Sequence, residues 1–304
     1  MCALMWWRRS DGRLVRGLSD TRRAMPYFMR GRNEAVVYFD QDISLHKTDA
    51  FIRAWNQANP NLRIDVFQIV LWGLRDGRTR NPGVNRFVAG GRLYQRDGIW
   101  FSYAVKQKLE NDSPRVAVKR RFDEDATCGE MVQGMAETQA AFKTGETNRV
   151  DGELGLLFKF PGWMRRAIMA AIRGLDRWGM LPPSYVRNDP MYCSAFFANM
   201  ASLGMPSVYH HLYEYGTAGV FGSIGRPVTD PTGPTSGPDR RRSMSVRWTY
   251  DERVDDGLSA WFTLRRIKQI VEDPESVGLT VESLPAGVID DAPGQPRADD
   301  ATVS

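Results

Sequence analysis

The run Ser243 to Val271 constrains the fold most. Met244, Val246, Trp248 and Tyr250 alternate with polar residues, as a strand buried on one side requires. A charged turn follows, and then Leu258, Trp261, Phe262, Leu264, Ile267, Ile270 and Val271 recur at helical spacing, ending near Pro274. The run therefore reads as a central strand, a charged turn and a helix.

The remaining chain offers further helices and strands. Spacing predicts a helix over Ser19 to Met29, a strand over Ala35 to Ile43 and a helix over His46 to Asn59 before Pro60. A second apolar helix is predicted over Val66 to Arg75, stopped by Asp76-Gly77. Arg86 to Leu93 and Ile99 to Lys106 read as strands joined by a turn over Gln95 to Gly98, with Arg115 to Phe122 pairing nearby. Helices are predicted over Cys128 to Thr144 and Gly162 to Met180, and strands over Tyr192 to Ala201 and Gly219 to Ile224, before a Pro/Gly/Thr loop at Pro227 to Pro238. Three parts are expected: a basic segment over 1–18, one domain over 19–275, and an acidic, disordered tail over 284–304.

Composition narrows the partners. The longest apolar runs fall short of the ~20 residues that cross a bilayer, so no membrane span is predicted. An apolar start followed by arginines reverses the order of a signal peptide, and three scattered cysteines suggest neither disulfides nor zinc; a cytoplasmic setting is expected. The net charge of +5 is dispersed, which disfavours a nucleic-acid surface.

The turn itself reads Asp251-Glu252-Arg253-Val254-Asp255-Asp256-Gly257. It resembles the Asp-His-Arg-x-x-Asp-Gly motif of the acyltransferase catalytic domain of 2-oxoacid dehydrogenase complexes and of chloramphenicol acetyltransferases. Further landmarks follow in order: Phe197 to Gly204 is similar to that family's Phe-Thr-Ile-Ser-Asn-Leu-Gly strand, and Gly219-Val-Phe-Gly222 to its Ala-Ile-Leu-Gly strand. The resemblance covers roughly residues 19 to 275. It implies an α/β two-layer sandwich, a mixed sheet with helices packed on it, usually assembled as a homo-oligomeric trimer with a CoA channel between subunits. CoA or acyl-CoA would then be a substrate, with no cofactor held tightly. No lipoyl domain is expected in the chain.

Two departures bear on chemistry. Glu252 stands where the resemblance implies a histidine base. Taking a proton from a thiol of pKa ~8.5 is uphill by ~6 kcal/mol for an ordinary Glu, against ~3 kcal/mol for a histidine. Ala201 falls on the position of an oxyanion-binding Ser or Thr, a loss of about 10²- to 10³-fold in rate; Ser202 could replace it only at a bulge. Arg253, Asp251 and Gly257 read as turn scaffolding, and Asp256 as a cap for the last helix. His210 and His211, placed by analogy on a strand facing the motif, could supply a displaced base, with one of the two pointing inward. Trp248 is a candidate for the channel wall. The acidic cluster of Asp251, Glu252, Asp255 and Asp256 lacks a neighbouring His or Cys, so no metal is expected. The leading expectation is a non-catalytic or impaired acyltransferase homologue used for binding or assembly; its rival is an active acyltransferase with Glu252 or a displaced histidine as base.

Overall fold

The computed structural model describes residues 9–106, 115–143, 155, 157–234, 236–237 and 240–281. The expected tail over 284–304 lies outside the described residues, as do residues 1–8. The chain opens with β1 (Gly12–Leu14) and α1 (Asp20–Phe28), which Ser19 caps by accepting from the Arg22 N–H. β2 (Val36–Ser44) and α2 (His46–Ala58) follow as their periodicity predicts. α3 (Val66–Arg80) starts from a capping box of Asp65 and Gln68. It then continues through Asp76-Gly77, where a stop was expected. Asp76 stays helical and pairs with Arg80 and Arg266, and Gly77 is a point of close approach: a Cβ there would lie 2.9 Å from Thr263 Cγ2.

The hairpin also differs from expectation. β3 (Arg86–Ala89) and β4 (Arg92–Arg96) turn at Gly90-Gly91, whose φ values of 58° and 73° are the left-handed pair that a type I′ turn demands. Gly-Gly satisfies that turn better than the Arg96-Asp97-Gly98 run, so Gly90-Gly91, expected with Ala89 inside a strand, forms the turn and Ala89 stays in β3. β4 then pairs with β1 as well, in a three-stranded sheet of order β1-β4-β3. Residues 9–18 are therefore part of the fold and not a separate basic stretch. Its Arg9 is buried between Asp11 and Asp176.

The remaining elements are β5 (Ile99–Lys106), β6 (Arg115–Phe122), α4 (Cys128–Lys143), α5 (Gly162–Arg177), α6 (Pro183–Asn188), β7 (Ala195–Asn199), β8 (Val220–Ile224), β9 (Val228–Thr229), β10 (Arg242–Asp251) and α7 (Gly257–Glu272). The main sheet is mixed, in the order β2-β10-β8-β7-β5-β6, with β9 on β10. β7 runs parallel to β5 and β8, and the other pairings are antiparallel. The inner face, lined by Val246, Trp248, Tyr250, Val220 and Phe197, packs with α2, α3, α4 and α7 into one apolar core. On the outer face Phe196 and Phe221 join Cys193, Leu212 and Ala218 in a second, smaller cluster. This is the two-layer α/β sandwich that the resemblance implies.

Inner-face packing leaves no room at Gly222. A Cβ there would lie 2.8 Å from the Phe197 ring and 2.9 Å from Trp248, two rings that meet edge to face at 6.0 Å. Gly222→Ala is expected to destabilise the fold by about 1–3 kcal/mol in urea unfolding.

Candidate functional site

The site begins where β10 ends. Asp251 and Arg253 are both buried and form a bidentate pair, Nε to Oδ1 at 2.8 Å and Nη2 to Oδ2 at 2.7 Å. The Asp251 carboxylate also accepts from the Arg253 backbone N–H, and Arg253 Nη1 donates to the carbonyls of Met29 and Arg30. The turn is thus tied to the end of α1. Asp256 caps α7 through the Ser259 N–H at 2.8 Å, and that bond holds its carboxyl below the ordinary range. Gly257 is the first residue of α7.

Glu252 sits half-buried in this turn. Its N–H donates to Ala35 O at 3.0 Å, and its carbonyl accepts from Arg22 at 3.1 Å. Among the described residues, its carboxylate has no hydrogen-bond or ion-pair partner.

The histidines come from a different construction. Residues 205–213 are not a strand, as the sequence had suggested. They lie extended across the outer face of β8 and β10, held by side chains and not by a ladder. Ser223 Oγ accepts from the Val208 N–H, the Ser207 and Ser245 hydroxyls share a bond of 2.6 Å, Arg247 donates to Ser207 O, and Thr249 Oγ1 donates to His210 O. The polar alternates of β10, Ser245, Arg247 and Thr249, are therefore the seat of this segment. From the far side Arg32, buried, donates to the carbonyls of Tyr213, Glu214 and Gly216. The Glu214 carboxylate accepts from the N–H groups of Arg32 and Asn33.

Because the segment is not a strand, His210 and His211 do not face opposite ways. Their rings stack on one another at 4.7 Å, and His210 lies flat on Phe221 at 3.9 Å. His210 Nδ1 is 2.7 Å from His211 O. A carbonyl only accepts, so Nδ1 carries the proton and Nε2 keeps its lone pair. Burial lowers the imidazole below the ordinary histidine value; the bond to His211 O opposes this and the His211 ring adds to it. Nε2 has no partner among the described residues.

Ala201 and Ser202 lie elsewhere. β7 stops at Asn199, and residues 201–203 form a 3₁₀ turn, closed by Gly204 at φ 68°. There is no bulge: the Ser202 hydroxyl donates to Asn199 O at 2.7 Å. Register places Asn199 beside Ile224 and Ile224 beside Val246. Glu252 lies six residues further along from Val246, so the two ends of the sheet are about 20 Å apart. Within one chain they do not meet. Trp248, expected to line a channel, instead points into the core with Nε1 on Gln41 at 3.2 Å. Beside it and Tyr250 remains a cavity of about 30 Å³, room for one water molecule and not for a pantetheine arm. Among the described residues no group of three or more His, Cys, Asp and Glu is placed to hold a metal, and no helix is long and apolar enough to cross a membrane.

A mixed sheet with helices packed on its inner face is the fold of the CoA-dependent acyltransferases, and solved structures share it. A probable dihydrolipoamide acetyltransferase from Listeria monocytogenes superposes with a TM-score of 0.53 at 13% identity, covering 88% of this chain and 99% of that one. The cubic core of a pyruvate dehydrogenase multienzyme complex gives 0.54 at 11% identity, covering 86% and 93%. A chloramphenicol acetyltransferase gives 0.51 at 10% identity, covering 86% and 99%. At these identities the likeness is one of fold. No family model matches the sequence, and no curated protein matches it.

Sequence reasoning missed Arg32, Glu214 and Thr249 as supports of the histidine segment. Arg32 and Glu214 are 182 residues apart, and no local pattern joins them. Arg253→Ala would leave Asp251 buried and unpaired, an expected loss of roughly 3–5 kcal/mol in thermal or urea unfolding. Asp256→Ala is expected to lose about 1 kcal/mol, the value of an N-cap.

Proposed function

We propose that the chain transfers an acyl group from a CoA-type thioester, with His210 as the general base. One observation carries the reading: an imidazole with Nδ1 tied to a carbonyl and Nε2 without a partner among the described residues, on a segment held two residues from the motif end of β10 through Thr249. Nε2 takes the proton of the acceptor as that group attacks the thioester carbonyl. The tetrahedral intermediate then expels the thiolate, and the imidazolium returns the proton to sulfur, leaving free CoA and the acylated acceptor. Glu252 is not needed as the base, and its thermodynamic handicap toward a thiol is avoided. The 201–204 turn lies about 10 Å along the sheet from the Thr249 seat of His210, and its Ser202 hydroxyl is already given to Asn199 O, so an oxyanion donor would have to come from a second copy, in the trimer that the resemblance implies.

A non-catalytic binding or assembly module is the second reading. Ala201, which offers no side-chain donor, and the Ser202 hydroxyl, already given to Asn199 O, favour it. Calorimetric titration with CoA and acetyl-CoA, joined to a thiol-release assay, separates the two. The catalytic reading expects binding and turnover, with His210→Gln reducing release about 10²-fold or more while CoA still binds, and Glu252→Gln changing it only a few-fold. Loss confined to Glu252→Gln would overturn the base assignment; neither binding nor release would leave the assembly reading.

Protonation of Nε2 removes the base, so activity should be full above the histidine's pKa and fall as pH drops through it. Burial sets that value below the ordinary ~6.5. A thiol-release profile already declining above pH ~7.5 would contradict it.

A further inference from the structure

α5 differs from the other long helices. Among the described helices of more than eight residues it alone buries none of its side chains, although its apolar positions are strongly periodic. It is held at its C-terminal turn, where Arg9 bonds both the Asp176 carboxylate and the Asp176 carbonyl, and Ile172 rests against the small cluster of Leu181, Val186 and Tyr192. The opposite side is open. Trp163, Leu175, Trp178 and Met180 are 68%, 40%, 48% and 54% exposed, and Phe158, just before the helix, is 66% exposed.

The charge beside this stripe has one sign. From Phe158 to Met180 the basic residues are Lys159, Arg165, Arg166, Arg173 and Arg177, and the single acidic one, Asp176, is taken up by Arg9. Among the described residues none of the five makes an ion pair. Arg166, Arg173 and Arg177 are exposed along one edge of the stripe. A 16-residue helix is about 24 Å long. A tryptophan near each end places an amphipathic ring at both extremities of this apolar line.

We propose that α5 lies in the surface of an anionic phospholipid bilayer, its apolar stripe below the headgroups and its arginines among the phosphates. The pattern is that of an interfacial helix: a narrow apolar face with aromatic anchors and a basic polar face. Nucleic acid would satisfy the arginines but leave Leu175, Met180 and Phe158 without an apolar environment. A two-fold contact with α5 of a second copy would bury the stripe but set like charges together. The inference stands apart from the catalytic reading, since no α5 residue belongs to the site around His210.

The test uses the full chain and two vesicle preparations, phosphatidylcholine alone and an equal mixture with phosphatidylglycerol. The expected result is co-sedimentation with the mixed vesicles only, with a blue shift of tryptophan emission, weakening as salt is raised. Each exposed arginine removed should weaken binding about fivefold, so the double variant Arg166→Glu, Arg173→Glu should lose nearly all of it. Trp163→Ser should weaken binding and reduce the emission shift. All these side chains are exposed, and an unchanged melting temperature confirms that the variants fold. Absence of sedimentation, equal binding to both vesicles, or undiminished binding by the folded charge variant would overturn the proposal. So would a soluble oligomer that the charge variant dissociates, which would assign the face to a contact between copies.

Discussion

The buried pair of Asp251 and Arg253 is the interaction on which the arrangement around the site depends. An arginine cannot shed its charge, so a guanidinium 3% exposed must find an acceptor for every donor it turns inward. Here the acceptors are both oxygens of Asp251 and the carbonyls of Met29 and Arg30, which come from distant parts of the chain. Satisfying them sets the angle at which β10 leaves the sheet, the start of α7 and the position of the α1 terminus at once. Glu252 lies between the two members of the pair, so its half-buried place is a consequence of theirs.

β10 carries two different surfaces on alternate residues. Val246, Trp248 and Tyr250 enter the helix-packed core, while Ser245, Arg247 and Thr249 seat the segment that bears the histidines. The catalytic proposal and the stability of the sheet therefore rest on one strand read in two registers of period two. Fastening by side chains keeps residues 205–213 free of strand alternation, and that freedom lets two successive histidines stack on the same side, over Phe221. Arg32 and Glu214 close the arrangement from the other flank.

Legibility followed the range of the interactions. β10, its turn and α7 were readable because alternation, cap and helical spacing are all local; so were β2, α2 and the start of α3. The end of α3 was misread because Gly77 looks like a stop in sequence, whereas it serves the contact with Thr263. The hairpin was displaced by four or more residues because two glycine-containing turns competed, and pairing of β4 with β1 favours the Gly90-Gly91 turn. At the site, the motif residues were singled out through the resemblance. The histidines were noticed as residue types, but their orientation depended on a network with no sequence signature.

By itself the sequence determined the central strand and the helix that follows it, the capping Asp256, and that position 252 carries a glutamate and position 201 an alanine, where the resemblance implies a histidine and a hydroxyl. These follow from periodicity and residue chemistry within short stretches. Only the tertiary structure decided that Trp248 closes into the core, that the two ends of the sheet lie about 20 Å apart within one chain, and that Thr249 seats the His210 carbonyl while the ring turns Nδ1 to His211 O. Those facts depend on sheet order, register and a clamp between residues 182 positions apart, where the energy lies in contacts that no local window contains.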